Sequence, residues 1–203
     1  MNENQKHALL KVARDTIDAV IKGKKSGRAG FTPPNISKIE TDDPDLAAHC
    51  GCFVTLKNPA RAAGSGEGLR GCIGNFTGDK PLVNMVAEMA KASATGDPRF
   101  LDDPITPDEL PSLDIEISVL SPLKKTSDPL SLRLGTDGIY IKRGFLTGCF
   151  LPQVAEETGW SKEEFLSHCC SHKAGLPHDA WKDPKTEVYL FTADVFGAPF
   201  KDI

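Results

Sequence analysis

Apolar residues recur along the chain with a helical spacing in four segments. Between residues 4 and 22 they are spaced three and four apart, which predicts an amphipathic helix ended by Gly23. The same spacing after Pro81 predicts a second amphipathic helix that buries one stripe. Two shorter helices are predicted over residues 152–159 and 161–174 from their proline, glycine and capping-box boundaries.

Apolar and polar residues alternate in the segments that we expect to form strands. The predicted strands span residues 50–57, 69–76, 113–120 and 187–193, with a hairpin over 137–150. The hairpin turn is expected near Gly144, and the tail after residue 193 is expected to be irregular. Because these strands are not regularly separated by crossover helices, the pattern favours an α+β fold with a mainly antiparallel sheet packed against helices.

Composition adds information about the class of protein and its compartment. The chain has 203 residues, including 18 glycines and 15 prolines. A length of this order predicts one compact unit, and the glycine and proline content predicts many turns. No apolar stretch approaches the ~20 residues of a membrane span, and the first residues do not resemble a secretory signal. We therefore expect a cytoplasmic protein, with no membrane partner and with reduced cysteines.

The charge of the chain bears on nucleic acid as a partner. The net charge of −4 lacks the basic excess typical of nucleic-acid binding, so such a partner is disfavoured. RNA recognition through the basic loop at residues 22–28 would require a salt-dependent affinity that this charge gives no reason to expect.

The segment GEGLRGCIGNF, residues 66–76, carries the first candidate for chemistry. Gly71 and Gly74 place no side chain beside Cys72, so the backbone can approach a ligand closely there. Arg70 precedes the thiol by two residues, and a nearby guanidinium favours the nucleophilic thiolate. The alternative is an inert thiol on the inner face of a strand, since free cysteine is among the most buried residue types.

A second group of chemically active side chains lies on the predicted helix at 161–174. His168 and His172 are four residues apart, so they share one helix face and are spaced to chelate a metal, with Cys169 and Cys170 between them. No third ligand follows at a recognised spacing and the chain has no CxxC motif. A polar helix stripe with one cysteine in the core is therefore the favoured interpretation, and no metal ligand is assigned.

Five segments together resemble the AMMECR domain family. They are LRGCIGNF at 69–76, DPRF at 97–100, DGIYI at 137–141, FLPQVAEETGW at 150–160 and KAGLP at 173–177. The resemblance covers about residues 6–200, which we treat as a single domain. It implies an α+β fold with a larger and a smaller lobe, and we expect a cleft between the lobes.

The resemblance also implies site residues and partners. Cys72 and its neighbours Arg70, Gly71 and Gly74 belong to the family's LRGCIG signature, which marks them as the expected functional site. The family's second signature is the segment FLPQVAEETGW at 150–160, and it contributes the further candidates Gln153, Glu157 and Trp160. The DPRF segment contributes Arg99. Family members are associated with a Memo-type protein and a radical S-adenosylmethionine enzyme; no cofactor or substrate is implied for this chain.

Two hypotheses of function follow. In the first, Cys72 acts as a nucleophile or redox thiol, activated by Arg70 and exchanging a proton with Glu157 or a histidine. Backbone N–H groups near Gly71 and Gly74 then bind an anionic group, while Arg99, Gln153 and Trp160 contribute to binding. In the second hypothesis the domain is a non-enzymatic module whose signature surface docks the Memo-type protein or the radical enzyme.

Overall fold

The computed structural model describes residues 1–25, 39–61 and 68–203, and the described chain divides into two compact units. The first unit comprises Met1–Val119 and Asp194–Ile203, and the second comprises Leu120–Ala193. Residues 26–28 of the predicted basic loop lie outside the described residues, and so does the glycine-rich segment at 62–67. Each unit has its own hydrophobic core.

The described residues of the first unit form three α-helices: α1 (Glu3–Lys25), α2 (Pro44–Ala47) and α3 (Leu82–Thr95). The predicted first helix is confirmed, although its backbone continues two residues past Gly23. Helix α3 begins after Pro81, as predicted, and buries the expected stripe, including Met85 and Met89. Its buried face packs against α1 and against two strands of the sheet.

The sheet of the first unit has four strands in the order β2-β1-β3-β8. Its strands are β1 (Cys52–Lys57), β2 (Leu69–Asn75), β3 (Asp114–Leu120) and β8 (Ala193–Pro199). Strand β1 pairs antiparallel with both β2 and β3. The prediction of an irregular tail was wrong, because β8 joins this sheet beside β3.

One face of this sheet forms the core with α1 and α3. Val54 and Leu56 of β1 are fully buried, and they lie opposite Ile117 and Ile115 of β3. Since side chains alternate along a strand, the residues between them point to the other face. This alternation places Thr55 on the face opposite to the helices, and it decides the orientation of the candidate site on β2.

The second unit contains a separate four-stranded sheet in the order β4-β7-β5-β6. Its strands are β4 (Lys124–Thr126), β5 (Gly138–Arg143), β6 (Leu146–Phe150) and β7 (Glu187–Phe191), and all their pairings are antiparallel. The predicted hairpin is confirmed, and Gly144 at its turn has a φ of 61°. That angle lies in the left-handed region that glycine adopts without steric cost.

Two short helices follow the hairpin, α4 (Gln153–Thr158) and α5 (Lys162–His168). Helix α4 ends at Gly159 in the left-handed conformation, and α5 begins with the complete capping box of Ser161 and Glu164. A π-helical segment, Cys169–Lys173, continues α5.

The elements of the two units together confirm an α+β fold, with two antiparallel sheets. Within the described residues, no helix has both the length and the apolar character that crossing a membrane requires.

Candidate functional site

Cys72 lies on β2, the edge strand of the first sheet, and faces away from α1 and α3. Its partner on β1 is Thr55, while the flanking Ile73 lies opposite the buried Val54. The thiol is half-buried, and the Thr55 hydroxyl donates a hydrogen bond to Sγ over 3.2 Å. Cys72 is therefore not part of the core that the helices cover.

The edge of β2 is held by Asp97, which follows α3 and caps the 3₁₀ turn Pro98–Phe100. The backbone N–H of Cys72 donates to Oδ2 of Asp97 over 2.9 Å. Arg99 donates to the same carboxylate from its backbone N–H, Nε and Nη2, over 3.1, 2.9 and 2.6 Å. These hydrogen bonds, led by those of the Arg99 side chain, lower the pKa of Asp97 from 3.8 to about 2 despite its burial.

The carboxylate of Asp97 fixes Arg99 beside Cys72. Nη2 of Arg99 also donates to the carbonyl of Cys72 over 3.3 Å, and the guanidinium lies 5.4 Å from the centre of the Phe100 ring. The hydrogen bond to Asp97 is the largest cause of the raised pKa of Arg99, and the negative charge of the same carboxylate adds to it. The Arg99 side chain is 53% exposed, so it is accessible to an anionic ligand.

Arg70 is buried and has a different set of partners from the one predicted. Its Nε and Nη2 donate to Glu109 over 2.7 and 3.1 Å, and Nη1 and Nη2 donate to the side chain and carbonyl of Asp103 over 2.8 and 2.9 Å. Every guanidinium nitrogen thus donates to a carboxylate: Nε and Nη2 to the buried Glu109, and Nη1 to the exposed Asp103. The sequence assigned Arg70 to the thiol, but the guanidinium that the structure places beside Cys72 is that of Arg99.

The two glycines of the signature are required by packing. A Cβ on Gly71 would lie 2.1 Å from the carbonyl oxygen of Ser93 in α3, and a Cβ on Gly74 would lie 2.2 Å from the ring of Phe53. The Ser93 hydroxyl accepts from the N–H of Ile73 over 2.9 Å and donates to a carbonyl of β1 over 2.7 Å. These close contacts explain why both positions are glycine, and no bound ligand is needed to account for them.

The candidates from the second signature lie in the second unit. Gln153 begins α4 and its buried Oε1 has no hydrogen-bond partner among the described residues, while Glu157 is exposed. The half-buried Trp160 packs its ring 5.8 Å from Phe150 and 4.2 Å from His168. Trp160 therefore anchors the chain between α4 and α5.

The ring of His168 also lies 4.9 Å from that of His172 and 5.6 Å from that of His178. Across the described ranges, no group of three or more histidine, cysteine or acidic side chains is arranged to hold a metal ion.

Three residues of the site were missed by the sequence reasoning: Thr55, Asp97 and Glu109. Asp97 does have a local signal, because an aspartate before proline is a recognisable cap for the turn that carries Arg99. Thr55 and Glu109 have no local signal, because they meet Cys72 and Arg70 only through strand pairing and the folded loop after α3.

Replacing Asp97 by Asn is expected to reduce the loss in free energy of unfolding that accompanies a fall in pH. A carboxylate with a pKa of 3.8 when unfolded and about 2 when folded stabilises the fold above pH 3.8, and this contribution is lost as the pH falls through 2. We expect the wild type to lose about 2 kcal/mol more than Asp97→Asn between pH 5 and pH 2. Urea unfolding followed by circular dichroism across this range measures the difference. Asp79→Asn, at an exposed aspartate, is the control and should follow the wild type; equal curves for Asp97→Asn would contradict the assignment.

The first unit is an α+β module whose edge strand presents a half-buried thiol next to a fixed guanidinium, and the second unit is a smaller antiparallel sheet with helices. The chain belongs to the AMMECR1 family, whose family model matches residues 10–196. It is 39% identical over 202 residues to a protein of Methanothermobacter thermautotrophicus, an alignment that covers 97% of this chain and 95% of the relative.

Further relatives agree with this assignment. Protein TK0174 of Thermococcus kodakarensis is 38% identical over 196 residues, which cover 93% of this chain and 87% of the relative. The crystal structure of the uncharacterized protein PH0010 from Pyrococcus horikoshii is similar to this fold with a TM-score of 0.75 and 37% identity, over 96% of this chain and 91% of that chain. The resemblance inferred from the five segments is therefore confirmed.

Proposed function

We propose that the chain acts through the thiol of Cys72, as a nucleophile or redox thiol. The observation that carries this proposal is the environment of Cys72: the hydroxyl of Thr55 donates a hydrogen bond to Sγ over 3.2 Å, and the guanidinium of Arg99 donates to the carbonyl of the same residue over 3.3 Å. A donated hydrogen bond and a nearby cation both favour the thiolate, which is the reactive form of cysteine. The thiolate would donate an electron pair to an electrophilic carbon or sulfur, and the leaving group would depart with the electrons of the broken bond.

The other cysteines provide a contrast that supports the choice of Cys72. Burial raises the pKa of Cys52 to about 12, and it also raises the pKa of Cys169, Cys170 and Cys50. Thiols with raised pKa values stay protonated at neutral pH and react slowly. The reactivity of the chain is therefore expected to concentrate on Cys72 rather than on these four residues.

Within this proposal Arg99 replaces Arg70 as the cation that acts on the thiol. The N–H of Cys72 is occupied by Asp97 and that of Ile73 by Ser93, so the exposed guanidinium of Arg99 is the better candidate for binding an anionic group of the substrate. Arg70 becomes a positioning residue that holds β2 through its ion pair.

The remaining parts of the proposal rest on the family signature. Glu157 is assigned proton transfer, and Gln153 and Trp160 are assigned binding. A Memo-type protein and a radical S-adenosylmethionine enzyme are proposed as partners that supply or consume the reacting group. The competing possibility, a module that only docks these partners, predicts an unreactive Cys72.

Alkylation by iodoacetamide tests the proposal. Mass-spectrometric peptide mapping of the folded chain at pH 7 is expected to show Cys72 modified faster than Cys52 or Cys169. Arg99→Gln should slow alkylation of Cys72 by roughly 3- to 10-fold, since a nearby cation stabilises the thiolate by about 1 kcal/mol. Lys11→Gln removes the same charge from an exposed site on α1 and should leave the rate unchanged.

Two outcomes would count against thiol chemistry. A Cys72 that reacts no faster than the buried cysteines would favour the docking module. An unchanged rate in Arg99→Gln would remove the guanidinium from the mechanism.

A further inference from the structure

A pocket of about 360 Å³ lies wholly within the second unit, among β4, the end of β7 and the loop before β5. Its volume falls in the range of roughly 300–1,000 Å³ that is typical of small-molecule sites. Leu190 and Phe191 supply apolar surface, and four serine and threonine residues supply hydroxyl groups. All of its lining residues are distinct from those of the Cys72 site.

The charges that line this pocket are predominantly positive. Lys124, Lys125 and Arg133 line it together with a single acidic residue, Asp137. Lys125 is paired with Glu187 over 2.9 Å, whereas Lys124 is exposed and has no ion pair or hydrogen bond from its ammonium group among the described residues. Once the pairs Lys125–Glu187 and Arg133–Asp137 are counted, Lys124 carries the uncompensated charge among the described lining residues, and this charge favours an anionic ligand.

Arg133 is held in place for such a ligand by Asp137, the first residue of the DGIYI segment. The buried carboxylate accepts from the backbone N–H, Nε and Nη2 of Arg133, over 2.8, 3.0 and 2.8 Å. Nη1 has no partner among the described residues, and the Arg133 side chain is 66% exposed. Because one edge of the guanidinium is already fixed, the side chain loses less conformational entropy when a ligand binds its free edge.

We propose that this pocket binds a small ligand that carries a phosphoryl group. Lys124 and the free edge of Arg133 would bind the phosphoryl oxygens, since arginine and lysine are the residues that most often recognise this group. Three of the four lining hydroxyls already donate to backbone carbonyls, so Thr192 would supply the further donor to the phosphoryl group. The organic part of the ligand would lie on Leu190 and Phe191. The pocket is larger than inorganic phosphate, which leaves room for a sugar or a similar group.

Isothermal titration calorimetry with ribose 5-phosphate, inorganic phosphate and ribose tests this proposal on the full chain. We expect ribose 5-phosphate to bind at least 10-fold more tightly than ribose. Tighter binding of ribose 5-phosphate than of inorganic phosphate identifies a phosphate ester as the ligand, whereas equal binding identifies the phosphoryl group alone. Binding of ribose equal to that of ribose 5-phosphate, or no heat of binding for either phosphate at millimolar concentration, would overturn the proposal.

A pair of variants locates the binding site. Lys124→Gln should weaken ribose 5-phosphate binding by about 5- to 10-fold, because it removes the uncompensated ammonium group. Lys185→Gln removes the same charge from an exposed position of the second unit that does not line the pocket, and it should change the affinity by less than twofold. Both residues are exposed, so both variants should keep the circular dichroism spectrum of the wild type. Equal effects of the two substitutions would show that only the overall charge matters, and would exclude this pocket.

Discussion

Gly71→Ala is expected to destabilise the first unit by more than about 3 kcal/mol, or to prevent its folding. The added Cβ would lie 2.1 Å from the carbonyl oxygen of Ser93 and 2.9 Å from its carbonyl carbon, both of which are backbone atoms of α3. A side chain can rotate away from such a contact, but a helix backbone can yield only by moving α3 away from β2. That displacement would also strain the bridge from the Ser93 hydroxyl to Ile73 and Val54.

Urea unfolding monitored by far-ultraviolet circular dichroism measures this effect. Gly96→Ala is the matched control, since its Cβ would lie 3.3 Å from the nearest atom, the carbonyl oxygen of Ala92. Its free energy of unfolding should stay within about 1 kcal/mol of the wild type. If Gly71→Ala behaved like this control, the first glycine of the LRGCIG signature would not be needed for packing, and a role in ligand binding would regain support.

The spacing of apolar residues predicted most helices and strands, because the residues that define one helix or one strand are close in sequence. Alternation along residues 50–57 gives the correct buried face of β1, and the capping box at Ser161 gives the correct start of α5. Strand β8 was missed since Gly197 and Pro199 are typical of turns. Gly197 is accommodated because it lies against the backbone of β3, where a Cβ would come 2.7 Å from the carbonyl of Ile115. That contact depends on tertiary pairing, which no local pattern encodes.

The candidate site was only partly predictable for the same reason. Cys72 was identified by its motif, but the direction of its side chain depends on the register with Thr55. The choice between the two arginines depends on their carboxylate partners: Glu109, which is 39 residues away in sequence, binds Arg70, and Asp97, in the same turn as Arg99, holds Arg99 beside the thiol. Proximity in sequence favoured Arg70, whereas the folded loop after α3 places Arg99 there.

Arg70→Met is expected to destabilise the chain by about 3 kcal/mol, because it leaves the buried Glu109 with the amide of Asn58 and a half-exposed Arg61 at 3.6 Å in place of the close, buried guanidinium. The Arg70 side chain is 2% exposed and that of Glu109 is 9% exposed, so water cannot replace the lost ion pair at Glu109. Asp103 is 59% exposed and can be hydrated when Arg70 is removed. Urea unfolding of Arg70→Met measures the loss, and adding Glu109→Gln should recover part of it, since the buried carboxylate charge is then absent.

The same variant separates a positioning residue from one that acts on the thiol. If Arg70 only holds β2, the folded fraction of Arg70→Met should alkylate Cys72 at a rate within about twofold of the wild type, whereas Arg99→Gln should slow alkylation by roughly 3- to 10-fold. We expect the two variants to differ in the alkylation rate of Cys72 because Arg70 is enclosed with Glu109, while Arg99 is half exposed beside Cys72. A slow thiol in Arg70→Met at full folding would restore Arg70 as the activating residue, and the assignment of Arg99 to the thiol would then be wrong.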